Sequence, residues 1–166
     1  MTPPPDDAPR LSRTWVWFGV GPRGALLTIL ILAVAVWIDR TWGPWRLGLP
    51  HRPVLAMASL LIFTGLMLHI WTMTTLRAWW TRRTLCTTGP FRWFRHPLYA
   101  AWITGILPGA VLLTDLPALL CALIPVHGLW HFLVRSEERR MLAAFGDSYR
   151  AYAQSTGRFI PALRRR

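Results

Sequence analysis

Lysine is missing from the 166 residues: all nineteen basic residues are arginine, against seven scattered acidic ones, for a formal net charge of +12. Such a balance suits nucleic acid in principle. The arginines sit between apolar runs, however, and form no separable basic domain. That argues against nucleic acid and for loops that face anionic lipid headgroups. Cysteine is scarce: Cys86 and Cys121 are too few for a disulfide framework and lack CxxC spacing, so they are read as reduced and structural. Histidine is scarce as well. Five in the chain are too few for the several boxes of a histidine-ligated diiron hydroxylase, although "HGLWH" places His127 and His131 at a chelating spacing. No metal site is expected. The opening "MTPPPDDAPRLSRTW" lacks a signal peptide's order of charge, apolar core and cleavage site, and residues 1–13 are read as a disordered leader. No internal repeat is evident.

What the chain has is hydrocarbon. Hydrophobic residues make up 53% of it, and a mean hydropathy of +0.32 is high for a globule of this size. Residues 53–76, "PVLAMASLLIFTGLMLHIWTMTTL", carry no formal charge and are long enough to cross a bilayer. Residues 24–38 form a shorter run, extended if 16–20 join it and Arg23 snorkels. Residues 116–134 form another, with one proline and two histidines. The remaining run, 98–113, contains Pro108 and is expected to be short, kinked or tilted. The expected fold is therefore an all-α integral membrane protein of about four transmembrane helices, followed by a C-terminal cytoplasmic amphipathic helix.

Thr114 and Asp115 leave room only for a tight hairpin between the last two runs. Their far ends must share a side. That side collects Arg77, Arg82, Arg83, Arg92 and Arg95 before the hairpin, then Arg135, Arg139, Arg140, Arg150, Arg158 and Arg164 to Arg166 after it. The positive-inside rule places it in the cytoplasm, with both termini, in a bacterial inner (plasma) membrane. Arg40, Arg46 and Arg52 oppose this assignment and are outnumbered. Eleven tryptophans, several near proposed ends, fit interfacial belts. Beyond Val134, Met141, Leu142, Phe145, Tyr149 and Tyr152 recur at helical spacing among charges, with Gly146 a candidate kink.

The chemistry-bearing residues cluster at the arginine-rich side. In "GPFRWFRHPLYAAW", Pro97 fits a helix's first turn, which puts His96 at the N-cap and leaves backbone amides and Arg95 for a carboxylate or other anion. A juxtamembrane anchor would use the same residues. His127, His131 and Glu138 share a helical face, and ionisable groups there suggest a polar cavity. Glu137 and Glu138 project about 100° apart around a helix. They make a poor acid/base pair, but one can face a cavity while the other pairs with arginine.

Taken in order, "GPFRWFRHPLY", a membrane hairpin, "EERRML", "FGDSYRAY" and "RFIP" resemble the membrane-embedded methyltransferases of the isoprenylcysteine carboxyl methyltransferase and phospholipid methyltransferase superfamily. The resemblance implies S-adenosyl-L-methionine as cofactor, held on the cytosolic side by Arg95, His96, Tyr99, Glu137, Glu138 and Tyr149. The soluble enzymes' Gly-rich fingerprint is absent, and this fold would not need it. His131 and Arg135 are the catalytic candidates, with His127 or His131 of interest as a base only for amine or thiol acceptors, because a carboxylate is already nucleophilic. The implied acceptor is a lipid or other hydrophobic molecule, an isoprenylcysteine-like carboxylate or a phospholipid amine. A small thiol is the alternative, and so is a non-enzymatic membrane module. Residues 84–166 would form the cofactor-binding core, and 14–83 the two spans that select the acceptor. Membrane lipids are the other expected partners.

Overall fold

The computed structural model describes residues 20–43, 45–79 and 84–162. The expected leader, the extension of the first span over 16–19, and Arg82, Arg83 and Arg164 to Arg166 lie outside the described residues. Four helical segments follow one another: α1 (Val20–Trp42), α2 (His51–Trp79), α3 (Pro97–Leu112) and α4 (Pro117–Ser155), with a 3-10 turn at Gly89–Arg92 ahead of α3. Among the described residues there are no strands, only an isolated parallel bridge between Phe94 and Gly157.

Three of these helices, α1, α2 and α4, are long and apolar enough to cross a membrane; α3 falls short. At 1.5 Å per residue α3 is roughly 24 Å long, less than a hydrocarbon core of about 30 Å. It is also irregular. Ala101–Ile106 winds as a π-helix, in which the Leu107 amide reaches back to the Trp102 carbonyl. The widened turn lies just ahead of Pro108, which has no N–H to continue an ordinary ladder.

Two helix pairs make the bundle. α2 meets α3 at Gly65 and Gly105, where a Cβ on Gly105 would lie 2.8 Å from the Gly65 Cα and one on Gly109 would lie 2.8 Å from the Ala58 carbonyl oxygen. These glycines let two backbones touch, so they serve helix contact. α1 meets α4 where Trp130 covers Gly24 and donates from Nε1 to the Thr28 hydroxyl at 3.0 Å. One apolar cluster, including Val20, Ala100, Ile103, Val126 and Trp130, lies where three helices converge; a second, around Ala35, Val111 and Leu119, lies toward the hairpin.

The hairpin turn is as tight as expected. Asp115 adopts φ 58°, Thr114 donates its hydroxyl to the Val111 carbonyl, and the Asp115 carbonyl accepts from the Leu47 amide at 3.3 Å. The α1–α2 loop therefore sits at the hairpin's end of the bundle. At the opposite end α4 continues without a break past Val134 and bends at Gly146, whose φ of 53° and ψ of −129° are open to glycine and strained for other residues. The amphipathic segment thus continues the last span and then turns through an elbow.

Candidate active site

The elbow and the segment after it bring the chain's end back onto the box that precedes α3. The Gly157 amide donates to the Trp93 carbonyl at 3.1 Å, the Arg95 amide to Gly157 at 2.7 Å, and the His96 amide to Arg158 at 3.2 Å. Tyr152 locks the same junction, its hydroxyl donating to the carbonyls of Phe91 and Phe94. His96 is then the N-cap residue of α3, with Pro97 following in the first turn.

Arg95 turns toward α4. Its Nε donates to Glu138 Oε1 at 2.9 Å, and Nη1 donates to the Ala153 carbonyl at 2.6 Å and the Thr156 carbonyl at 2.5 Å. A guanidinium at those carbonyls caps the negative end of the helix. The anion expected at Arg95 is here a carboxylate of the chain itself.

The adjacent glutamates divide the work as their angular separation requires. Glu137 accepts from the Tyr99 hydroxyl at 2.9 Å and lies 3.5 Å from His96 Nδ1. Glu138 is held between Arg95 and Arg158, the latter bonding through both Nε and Nη2. Burial alone would raise the Glu138 carboxyl's pKa, but its contacts with His96, Arg158 and Arg95 outweigh that and hold it well below the usual carboxylate range. His96 stacks on Tyr99 with ring planes 15° apart. Its buried Nε2 has no hydrogen-bond partner, the approach to Glu138 Oε1 being 3.5 Å. Tyr149 is buried beside this group, and burial, reinforced by the Glu138 charge, pushes its hydroxyl up to about 12.

Five of the expected residues, Arg95, His96, Tyr99, Glu137 and Glu138, thus meet at one place, with Tyr149 beside them. His131 reaches them indirectly, with Nδ1 3.3 Å from Arg158 Nη1 and its ring edge-on to Phe159. Arg135 faces a separate groove with Arg139, which shares Arg95, Glu138 and Tyr149 as one wall. Arg158 was not among the expected site residues. "RFIP" was recognised as a closing motif, but twenty residues separate Arg158 from Glu138, and only the return at the elbow makes them neighbours.

Two cavities flank Tyr99 and His96. One, of about 400 Å³, is lined by His96, Glu137, Phe91, Met141, Phe145 and Tyr149 and lies between the box and the helix after Glu138. The other, of about 390 Å³, is nearly all apolar, lies among α1, α3 and α4, and is lined by Gly21, Thr28, Tyr99, Trp102, Leu107 and Trp130. Among the described residues, no group of three or more His, Cys, Asp or Glu residues could hold a metal ion.

Residues 57–143 match the family described as "Isoprenylcysteine carboxyl methyltransferase (ICMT) family". The chain is similar to Protein-S-isoprenylcysteine O-methyltransferase of Tribolium castaneum, 36% identical over 84 residues, 48% of this chain and 28% of that protein. The same-named protein of Xenopus laevis is 31% identical over 84 residues, 49% of this chain and 28% of the relative. Cobalt-zinc-cadmium resistance protein CzcN of Cupriavidus metallidurans is 36% identical over 81 residues, 48% of this chain and 37% of the relative. The chain therefore spans well under half the length of the curated relatives it matches. No solved structure matches. With the family match extending from α2 through the box and hairpin to just beyond the paired glutamates, over half of its length, this chain belongs to the isoprenylcysteine carboxyl methyltransferase family.

Proposed function

We propose that the protein is an integral membrane methyltransferase that uses S-adenosyl-L-methionine to methylate a lipid or other hydrophobic acceptor. The observation that carries this reading is the meeting of Arg95, His96 and Tyr99 with Glu137 and Glu138 beside a cavity of nucleoside-ligand size.

The residues present fit that cofactor. Glu137 offers a carboxylate for its ammonium or ribose hydroxyls, Phe91, Phe145 and Tyr149 offer aromatic surface for adenine, and Arg95 and His96 lie at the same cavity for its carboxylate. His96 Nε2, buried and without a hydrogen-bond partner, is a polar atom in want of one. When bound, S-adenosylmethionine supplies an electrophilic sulfonium methyl group. The chain supplies position and exclusion of water. Tyr99, fixed by Glu137, lines the apolar cavity, and His96, stacked on it, lines the other, so the pair stands between the two. An acceptor's hydrocarbon would lie on the α1 side of that partition, reached sideways from the bilayer. Drawing each buried CH₂ through water would cost about 0.8 kcal/mol. His131 is the candidate base for an amine or thiol acceptor; a carboxylate acceptor would need none.

In the membrane, α3 would complete a four-span arrangement with the box and both termini on the cytoplasmic side. Single cysteines introduced at 115 and 150 should label from outside and only after permeabilisation, respectively. The reverse pattern would put the cofactor cavity in the wrong compartment. For the activity itself, purified protein is incubated with methyl-labelled S-adenosylmethionine and membrane extract, with cofactor binding followed by calorimetry. Labelled lipid product is expected. Absence of both product and binding would overturn the reading.

A further inference from the structure

Beyond the methylation site, α4 carries a second concave surface. The elbow at Gly146 folds the helix so that Arg135, Arg139 and Leu142 on its first part face Tyr149 and Arg150 on its second, across a groove of about 460 Å³. Neither cavity beside Tyr99 includes Arg139, Arg135 or Arg150.

The charges of this groove are unbalanced. Glu138 is the acidic residue that lines it, and Glu138 is bonded to Arg95 and Arg158. Asp147 pairs with Arg150, but both are largely exposed, so water and salt screen the pair. Arg135 and Arg139 are four residues apart on one face, each with a planar donor fork suited to phosphate oxygens. Depth matters equally. The groove starts at Arg135, directly after the apolar run ends at Val134, and its first wall extends to Leu142, roughly 10 Å along the helix. The headgroup layer of one leaflet is about 5–8 Å thick. A free inorganic anion needs no such placement and has no apolar surface to bury against Leu142.

We infer that the α4 elbow groove is a binding site for the phosphate headgroup of an anionic phospholipid, held by Arg135, Arg139 and Arg150. The lipid is not the methyl acceptor. It anchors the elbow at the membrane surface, against Glu138 and its partner Arg95, the latter also bordering the cavity proposed for the cofactor.

The test uses the full chain in detergent with an equimolar mixture of phosphatidylglycerol and phosphatidylcholine, counting retained lipids by native mass spectrometry. The wild type should retain phosphatidylglycerol preferentially, and since an arginine near the surface is worth about fivefold in affinity for anionic headgroups, R139Q/R150Q should lose roughly 25-fold of that preference. R40Q/R46Q, at the other end of the bundle, should keep it. No preference in the wild type, or an undiminished one in R139Q/R150Q, would overturn the site. Inorganic phosphate alone is the second arm: if millimolar phosphate raised the thermal midpoint of the wild type as much as phosphatidylglycerol does, the groove would be a soluble-anion site and the lipid assignment would fall. Should R139Q/R150Q fail to fold, the single variant R139Q decides the matter: it should lose about fivefold of the preference, and an undiminished preference would overturn the site.

Discussion

The two ends of the helix bundle both carry arginines and aspartates or glutamates, and they use them differently. At the hairpin end Arg40, Arg46 and Arg52 stand near Asp39 and Asp115, yet none of these residues is joined by an ion pair among those found in the described residues. Asp39 is only 4% exposed and its Oδ1 has no hydrogen-bond partner. At the box end Glu138 joins two arginines that are distant in sequence and lie on segments paired side by side, and Arg95 also donates to the carbonyls of Ala153 and Thr156, 58 and 61 residues further along the chain. Charge alone is therefore no guide to a site. What distinguishes the box end is that its charges cross-tie segments distant in sequence, which fixes side chains at one place with little freedom to rearrange.

Breaking the comparison begins with Glu138. In E138Q the two guanidiniums lose their shared countercharge. Removing one partner of a buried pair costs about 3–5 kcal/mol, and partial exposure here reduces that to roughly 2 kcal/mol. Methyl transfer should fall by at least about a hundredfold, since the residues around the proposed cofactor cavity would lose their positions. The pH dependence has a definite sign. A carboxyl whose folded pKa is depressed binds fewer protons folded than unfolded, so its stabilisation is full above its unfolded value, 4.5, and is lost as pH falls toward the folded value. Thermal midpoints in nanodiscs should decline below about pH 4.5 in the wild type. In E138Q that decline should be shallower; an identical decline would remove Glu138 from the network.

The next effect belongs to Arg158. R158K keeps the charge but has no planar fork with which to bond both Glu138 oxygens. Activity should drop by about tenfold, with R158A lower still. Equal activities in R158K and the wild type would mean that Arg158 contributes charge alone.

Much of this end was legible in the sequence, and the limits of legibility are physical. Pro97 after His96 announced the start of α3, and the 100° between successive helical residues announced that Glu137 and Glu138 would part company. Gly146 was legible as a kink because glycine accepts a conformation that other residues resist. The direction of the kink was not, and with it went Arg158. α3 was suspected of being short, but its π-helical stretch answers to Pro108 and to the Gly65–Gly105 contact together, and a contact between helices has no periodic signature. The glycines at 105 and 109 form the seam between α2 and α3, and the apolar cavity opens on the other side of α3, against α1.

Tyr99 offers a milder test. Y99F removes one hydroxyl donated to Glu137 and leaves the ring that stacks on His96. A single hydrogen bond to a charged group contributes about 1.5–3 kcal/mol, less with Glu137 partly exposed. A several-fold rise in the KM for the cofactor is expected with the midpoint nearly unchanged. If kcat fell and KM stayed constant, the hydroxyl would act on the reacting atoms and not on Glu137.

At the hairpin end the smallest effect is expected, and it sharpens the comparison most. Asp115 holds φ 58° at a turn whose other bonds come from Thr114 and from its own carbonyl to Leu47. Its side chain makes no ion pair among those found. Glycine adopts that backbone conformation freely, and aspartate tolerates it better than most residues, so D115G exchanges a little strain in the folded state for extra freedom in the unfolded one. These terms are each within about 1 kcal/mol and opposite in sign. The midpoint should move by no more than a few degrees, and methyl transfer should be unaltered, because no bond of the box depends on this turn. A loss of activity in D115G comparable to that in R158K would mean that the two ends are coupled through α3 and α4, and the division between a chemical end and a topological end would have to be given up.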